Sequence, residues 1–430
     1  MLEQLLLYSF LIATAVQLFF WLYFFAKLGF YENRGEGKRV NEFTPQPPSR
    51  GDIHSGLSPL ERGEGSEKLA HRTLCSKEPA QMEQNSTFSV RDKQEDLNPI
   101  ADDLPPVSIV ICAHNEAQNL GAHLDRILNQ NYRSFEVLVI SHNSYDESLN
   151  ILSSLSHRFK HLRIIKCDDP RPGKKYALAK GIREARNQVL LLTDADCVPE
   201  SNNWLRKMVA GIGGETEIVL GFAPYTEAPG FLNKFIRYEA VYTAMQYLSF
   251  ALAGIPYMGV GRNMAYQKKL FLKAKGFKKH EHLASGDDDL FVNEVAHQNN
   301  TAVQLDPATF VYSKPKSTWK AYHRQKARHF STGKHYKLLH RILLFTLAMS
   351  HYLHYVLGGV LFIYKFSIIF ALLGYTVRMS VVLTLSSIIL KRLRHQNLWP
   401  WVPALDAFLV LYYVLFTPAI LMNSNTQRWN

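Results

Sequence analysis

Four stretches of the chain stay apolar for longer than a helix in a water-soluble core requires. Leu5 to Phe25 is nearly uninterrupted, with Gln17 its one strongly polar side chain. Ile342 to Ile363 and Phe366 to Leu390 follow one another with little more than Tyr364 and Lys365 between them, and Trp401 to Met422 completes the set. Each is close to or above the roughly 20 residues that carry a helix across a bilayer. The pattern predicts one membrane anchor over residues 1–31 and about three transmembrane helices over 341–430. A cleaved signal peptide fits the first stretch less well, because Glu3 stands where basic residues belong and the apolar run is too long. Arg378 inside the third stretch predicts a span that is kinked, packed against its neighbours or partly interfacial.

Between these ends the pattern changes twice. Residues 32–104 are polar and rich in Pro, Gly, Ser and charge, with Thr44-Pro-Gln-Pro-Pro48 a stiff extended piece. Such a segment buries too little apolar surface to fold alone and reads as a disordered linker. From Pro105 the periodicity alternates. Strands are predicted at Val107–Cys112, Phe135–Ile140 and Leu162–Lys166, with a fourth ending at Asp194. Helices are predicted from Glu116 to Asn129, Asp146 to Phe159 and Lys175 to Arg186. Strands that alternate with helices pair in parallel, so residues 105–340 are expected to form an α/β domain around a doubly wound, mostly parallel sheet. Phe231 to Leu252 reads as a long amphipathic helix, with core or lipid as what it covers.

Composition narrows the function. The net charge is +12, yet no nucleic-acid recognition motif concentrates it. The same sign suits a domain that rests on anionic membrane lipid and handles a diphosphate. The short basic loop Lys391–His395 belongs in the cytoplasm. If the two closely spaced spans both cross, the middle domain shares that side and the first terminus lies outside. The repeated, interrupted helices of a transporter are missing. Cys75, Cys112, Cys167 and Cys197 lack metal-ligand spacing and fit reduced thiols.

The candidate chemistry begins at Asp194 and Asp196. In open α/β sheets ligands bind beyond the carboxyl ends of the strands, and residues two apart in an extended chain point the same way. The two acids thus offer hard oxygens to a divalent cation that already carries a nucleotide's phosphates. The competing reading is an acidic turn that caps the next helix. Ala113-His-Asn-Glu116 ends the first strand where a helix begins, and the free amides of a helix amino end suit a phosphate or base. An ordinary turn capped by Asn115 explains it equally well. In Ser285-Gly-Asp-Asp-Asp-Leu290 three adjacent acids repel one another, which raises at least one pKa and offers a general base. They also suit the cap of a helix from Asp288 to His297. Gly259-Val-Gly-Arg-Asn263 allows close backbone approach, with Arg262 and Asn263 available to an acceptor or to phosphates. Lys314, Lys316, Lys320, Arg324 and Lys334 give the segment before the second span a basic face for the membrane.

Taken in order, Val107–Glu116, Gly173-Lys-Lys-Tyr-Ala-Leu178, Leu192-Thr-Asp-Ala-Asp196, Gly286-Asp-Asp-Asp-Leu290 and Gln325-Lys-Ala-Arg328 resemble the motifs of family 2 glycosyltransferases. They resemble above all the membrane-integrated members of GT-A fold, similar to cellulose, chitin and hyaluronan synthases and their bacterial relatives. The resemblance covers roughly Val107 to Phe330. It implies an inverting enzyme that moves a sugar from a nucleotide-diphosphate donor, usually a UDP-sugar, to a lipid-linked or growing glycan acceptor at the cytoplasmic membrane face. It further implies that Asp194 and Lys174 contact the donor, that Asp196 ligates Mg²⁺ or Mn²⁺, and that Gln325 and Arg328 close over the diphosphate. Asp287 is the implied base; a one-residue shift makes it Asp288. The chain departs from the family at three places. Gly286 stands at a Glu position and His329 at a Trp position. Ser141 and His142 stand where an acidic pair usually reads the uridine, which leaves that task to Asp146 or to backbone groups. A nucleotide-sugar-binding protein of the same fold with impaired catalysis is the alternative.

Overall fold

A computed structural model describes residues 1–32, 104–168, 173–283 and 285–421. The linker reading for 32–104 and Cys75 thus lie almost wholly or wholly outside the described residues. The strands are β1 (Val107–Ala113), β2 (Phe135–His142), β3 (Leu162–Cys167), β4 (Val189–Asp194), β5 (Cys197–Pro199), β6 (Ile218–Leu220), β7 (Met264–Gln267), β8 (Thr301–Val303) and β9 (Val311–Ser313). Seven form one sheet in the order β3-β2-β1-β4-β7-β6-β8, and β5 pairs with β9 in a second. β1 to β4 are mutually parallel, as alternation with helices requires, whereas β7 runs antiparallel to both β4 and β6. The sheet is the doubly wound, mostly parallel α/β arrangement expected from the sequence. The sequence pattern did not reveal β6 to β9, which are three or four residues each and too short to show a period.

β1 is buried along its whole length, and its alternate residues feed two cores. Ile109 and Ile111 pack with Leu120, Leu124, Trp204 and Met208 on one face. Val110 and Cys112 face Leu178 and Ile182 on the other. That second core continues through the helix Phe231–Leu252 to Phe20, Trp21 and Leu28 of the first span. Phe231–Leu252 is correspondingly not amphipathic: fifteen of its residues are buried, on every face, because sheet and spans enclose it.

Among the described residues, four helices are long and apolar enough to cross a membrane: Leu2–Gly29, Leu338–Ile363, Ile368–Arg392 and Gln396–Leu415. Ser367 Oγ donates to Glu3 at 3.1 Å, so the turn between the second and third spans lies at the end where the chain begins. At the other end Gly29 packs on Ile388 and Ile389, and Arg394 of the basic loop pairs with Glu200 of the α/β domain at 3.1 Å. Domain and basic loop therefore share one end of the bundle. Among the alternatives for Arg378, packing against neighbours is realised: it is buried and forks onto Asp406 of the last span, with N···O distances of 2.7 and 3.2 Å. Phe10 wedges against Gly374, where a Cβ would come within 2.6 Å of its ring.

Candidate functional site

The carboxyl ends of β1 and β4 open on one pocket. Its lining includes Cys112, Lys174, Asp194, Gly261, Asp287 and Asp288. Gly173 takes φ +110°, a conformation that favours glycine, and so delivers Lys174 to the amino end of the helix Lys174–Glu184. From there Lys174 Nζ reaches Asp194 Oδ1 at 2.5 Å and Asp287 Oδ2 at 3.5 Å. Burial works against the Lys174 charge, but Asp194 and Asp287 outweigh it and hold its pKa well above the ordinary lysine value. One ammonium therefore joins the strand-tip acid to the acid cluster, although the two lie 93 residues apart in sequence.

The three adjacent acids divide their work. Asp288 accepts from Gly261 N at 2.8 Å through Oδ2 and from Asp289 N at 2.8 Å through Oδ1, and so caps the helix Asp289–Val295. Burial, and next the charges of Asp287 and Asp289, raise its pKa to about 7. Asp289 is buried and bonded to Thr332 and Tyr336. Asp287 is left facing Lys174. The capping role and the acidic pocket, both open from sequence, thus coexist.

Gly286 explains one departure from the family pattern. It sits at φ +99°, and a Cβ there would approach Leu290 Cδ1 to 2.5 Å. Backbone conformation and space together disfavour a side chain there. Gly286→Ala is accordingly expected to cost about 1–3 kcal/mol and to displace Asp287. Thermal unfolding beside a transfer assay checks this; an unchanged midpoint and rate would refute it.

Asp196 lies half-buried one turn beyond β4, and its Oδ1 accepts from the Cys197 thiol at 3.4 Å. No group of three or more His, Cys, Asp or Glu side chains arranged to hold a metal occurs among the described residues. This donor set suits a hard cation carried by one or two carboxylates plus a ligand's phosphates, and does not suit an all-protein cage. Glu116 lies within electrostatic reach of Asp196 and Asp194; burial first, then those charges, raise its pKa. Its Oε2 accepts from Asn119 Nδ2 at 2.6 Å.

The β1 tip is built as a crossing of two loops. Asn115 takes φ +54°, which Asn tolerates better than most residues, and its Oδ1 accepts from Tyr145 N at 3.1 Å. Ala113 pairs in register with Ser141. Asp146 accepts from Ala117 N and from Ser148 N, both at 3.0 Å. Its carboxylate thus joins the amino ends of two helices, and Tyr145 beside it is 87% exposed. Ser141 and His142 are buried.

The helix Trp319–Phe330 is capped by Thr318, whose Oγ1 accepts from Ala321 N at 3.2 Å. It carries Gln325, within 3.5 Å of the Tyr225 hydroxyl, and Arg328, which is half-buried. His329 is in electrostatic reach of Lys326, Arg328, Arg262 and Lys174. It is exposed on this helix; the direction of its pKa is downward, from desolvation first and then those cations. Lys326 itself is paired with Glu239 at 2.5 Å. Arg262 lies 4.5 Å from the Tyr225 ring centre and donates to Ala223 O at 2.9 Å and to Ser313 Oγ. Asn263, by contrast, is a buried clip whose amide bonds Phe222 O, Thr309 O and Trp204 Nε1. The pocket is thus acidic on its β4 side and lined by Lys174, with Arg262 in electrostatic reach of Asp194 and Asp196. Lys175, which sequence reasoning passed over, donates to His280 O at 2.7 Å and Leu283 O at 3.0 Å and holds the loop before the acids. Its only signal was adjacency to Lys174.

Comparison with known proteins finds two matching families. The family described as "Glycosyl transferase family group 2" matches residues 192–422, and that described as "Glycosyl transferase family 2" matches 108–273. The chain is similar to "Probable glycosyltransferase YdaM" of Bacillus subtilis (strain 168), 26% identical over 251 residues, which is 55% of this chain and 57% of that protein. It is also similar to "Glycosyltransferase AglE" of Haloferax volcanii, 32% identical over 130 residues, covering 30% and 42%. The chain therefore spans about half the length of the curated relatives it matches. Among solved structures, the mannosyltransferase PcManGT from Pyrobaculum calidifontis, in complex with GDP-Man and Mn2+, aligns at 19% identity with TM-score 0.47, over 72% of this chain and 88% of that one.

Proposed function

The chain belongs to family 2 of the glycosyltransferases, and on that footing we propose a membrane-embedded inverting enzyme that moves one sugar from a nucleotide-diphosphate donor to a lipid-linked or growing glycan acceptor. A uridine diphosphate sugar is the donor proposed first, and the α/β domain is proposed to face the cytoplasm with the basic loop. The observation that carries the reading is the meeting of Asp194 and Asp287 on the Lys174 ammonium, in one pocket at the strand tips.

In this reading the donor's diphosphate lies beyond β4, among Lys174, Arg262 and Arg328. Asp194, which lines the pocket, contacts the nucleotide sugar. Ala113, Asn115, Glu116 and Asp146 form the nucleotide edge, mostly through backbone groups, since the Asp146 oxygens already bind two amides. Gln325 and Arg328 approach from the helix above. Asp287 takes the proton of an acceptor hydroxyl as that oxygen bonds to the anomeric carbon and the bond to the diphosphate breaks. Asp196 would hold Mg²⁺ or Mn²⁺ together with the donor's phosphates, a cation that neutralises charge on the leaving diphosphate. Positive side chains near the same oxygens share that task. His329, smaller than an indole, offers an acceptor less stacking surface than the Trp of the family pattern, which favours single transfers over polymer synthesis.

The test is a panel of radiolabelled nucleotide sugars on purified membranes, with products separated by size. Label on a small lipid-extractable product, lost with EDTA and restored by Mg²⁺ or Mn²⁺, is the expected result. Asp196→Asn is expected to raise the metal concentration that restores transfer. Turnover of no donor, with binding retained, would leave the nucleotide-sugar-binding alternative standing.

A further inference from the structure

The third acid of the cluster does not line the pocket. Asp289 accepts a hydrogen bond from Thr332 Oγ1 and another from the Tyr336 hydroxyl at 2.7 Å. Both donors belong to the short link between the helix Trp319–Phe330, which carries Gln325 and Arg328, and the span Leu338–Ile363. One turn along, on the same face of the acid helix, Asn293 is buried against the same link. Its Oδ1 accepts from Lys337 N at 2.9 Å, and its amide nitrogen lies 2.9 Å from His340 Nδ1 and donates to Tyr257 O at 2.8 Å. The Tyr257 ring closes the group against Tyr336 and His340, with centroids 5.7 and 5.9 Å away. The acid helix is therefore fastened at two successive turns to the entry of the first carboxy-terminal span. Asp287 and Asp288 are the residues immediately before it.

We propose that Asp289 and Asn293 are positioning residues: they form a joint through which the span and the helix Trp319–Phe330 set where Asp287 and Asp288 stand in the pocket. This rests on the glycosyltransferase reading above, because it concerns the same acids. Burial alone does not account for the arrangement. A buried carboxylate bonded only for stability gains most from a cation; Asp289 instead takes two hydroxyls from the segment that joins the helix Trp319–Phe330 to the span Leu338–Ile363. Burial raises its pKa, and the Thr332 and Tyr336 hydroxyls pull it back down, so loosening the joint also disturbs the charge next to Asp288.

The test uses the full-length protein in membranes or detergent. Thr332→Val combined with Tyr336→Phe is expected to lower kcat by about 10–100-fold, the effect of a misplacement near 1 Å, with the donor KM unchanged. Thr332→Ser, which keeps the hydroxyl, is expected to retain the wild-type kcat. In parallel, hydrogen exchange at the amides of 289–295 is expected to accelerate in the Val/Phe variant, a readout that requires no turnover. A wild-type kcat with unchanged exchange overturns the joint; so does a loss of KM, kcat and melting temperature that Thr332→Ser shares. Inactivity of the wild type with every donor refutes the glycosyltransferase reading alone, and the exchange result then decides the joint.

Discussion

Asp287→Asn is expected to lower kcat by about 10²–10⁴, the contribution of one positioned general base, with little change in donor KM. The amide keeps the size of the carboxylate but accepts no proton. It also removes one of the two acids that hold Lys174, the other being Asp194 at 2.5 Å, so the lysine keeps a partner and the pocket its shape. Asp288→Asn separates the two base assignments. Both Asp288 oxygens accept backbone amides, and an NH₂ placed there confronts a donor. Its expected consequence is therefore a loss of about 0.5–2 kcal/mol of stability through the helix cap, more than a loss of chemistry. The pH dependence provides a second criterion. A base must be ionised before it accepts a proton, and Asp288 carries a pKa raised to about 7. A kcat profile whose acid limb lies at about 7 and vanishes in Asp288→Asn would move the base to Asp288. Stability gives the matching sign: a carboxyl whose folded pKa exceeds its unfolded value stabilises most below the unfolded pKa, and that stability is lost as pH rises towards 7. Transfer measured over pH on both variants decides between them.

The sequence carried the first half of the site because that half is local. An apolar strand that ends in Asp194-Ala-Asp196 and a glycine before Lys174 announce a strand tip and a helix start within a few residues. β1 to β4 and their helices were readable for the same reason. What joins them was not readable. The ion pairs of Lys174 with Asp194 and Asp287 bridge 20 and 113 residues, and no periodicity encodes such pairings. The three acids at 287–289 looked equivalent in sequence; only the third dimension shows one facing the lysine, one capping a helix and one bound to Thr332 and Tyr336. Gly286 looked like a missing acid and proves to be a backbone requirement. Arg262 and Asn263 looked alike as polar neighbours of a glycine turn, yet Arg262 stands near the pocket and Asn263 is a buried clip with every amide position used. In the spans, Gln17 and Arg378 were visible as polar intrusions, but their meeting was not: Gln17 Oε1 accepts from Arg378 at 3.1 Å.

That meeting produces the second large effect. Asp406→Ala is expected to destabilise the protein by about 3–5 kcal/mol, because it leaves a buried guanidinium unpaired. Arg378 and Asp406 are both within 1% of complete burial. Asp406 gathers groups from two other spans: Arg378 through both nitrogens, the Tyr355 hydroxyl at 2.7 Å and His351 Nε2 at 3.4 Å. Gln17 of the first span adds its carbonyl to Arg378 and sends its NH₂ to Leu347 O and Ser350 Oγ at 2.9 and 2.8 Å. One ion pair thus ties together all four spans. Removing both charges at once, as in Arg378→Met with Asp406→Leu, is expected to cost far less than Asp406→Ala, since no charge is then stranded in a dry interior. Tyr355 and Gln17 would each lose a partner, which sets a residual loss of about 1 kcal/mol apiece. Thermal unfolding in detergent compares the three proteins. Equal midpoints for Asp406→Ala and the double variant would show that the pair holds nothing. Because the helix Phe231–Leu252 packs on the same spans through Phe250 on Phe24 and Phe235 on Phe408, with centroids 4.6 and 4.8 Å apart, the single variant is expected to lose transfer at the temperature where the bundle opens, while the α/β sheet is still folded.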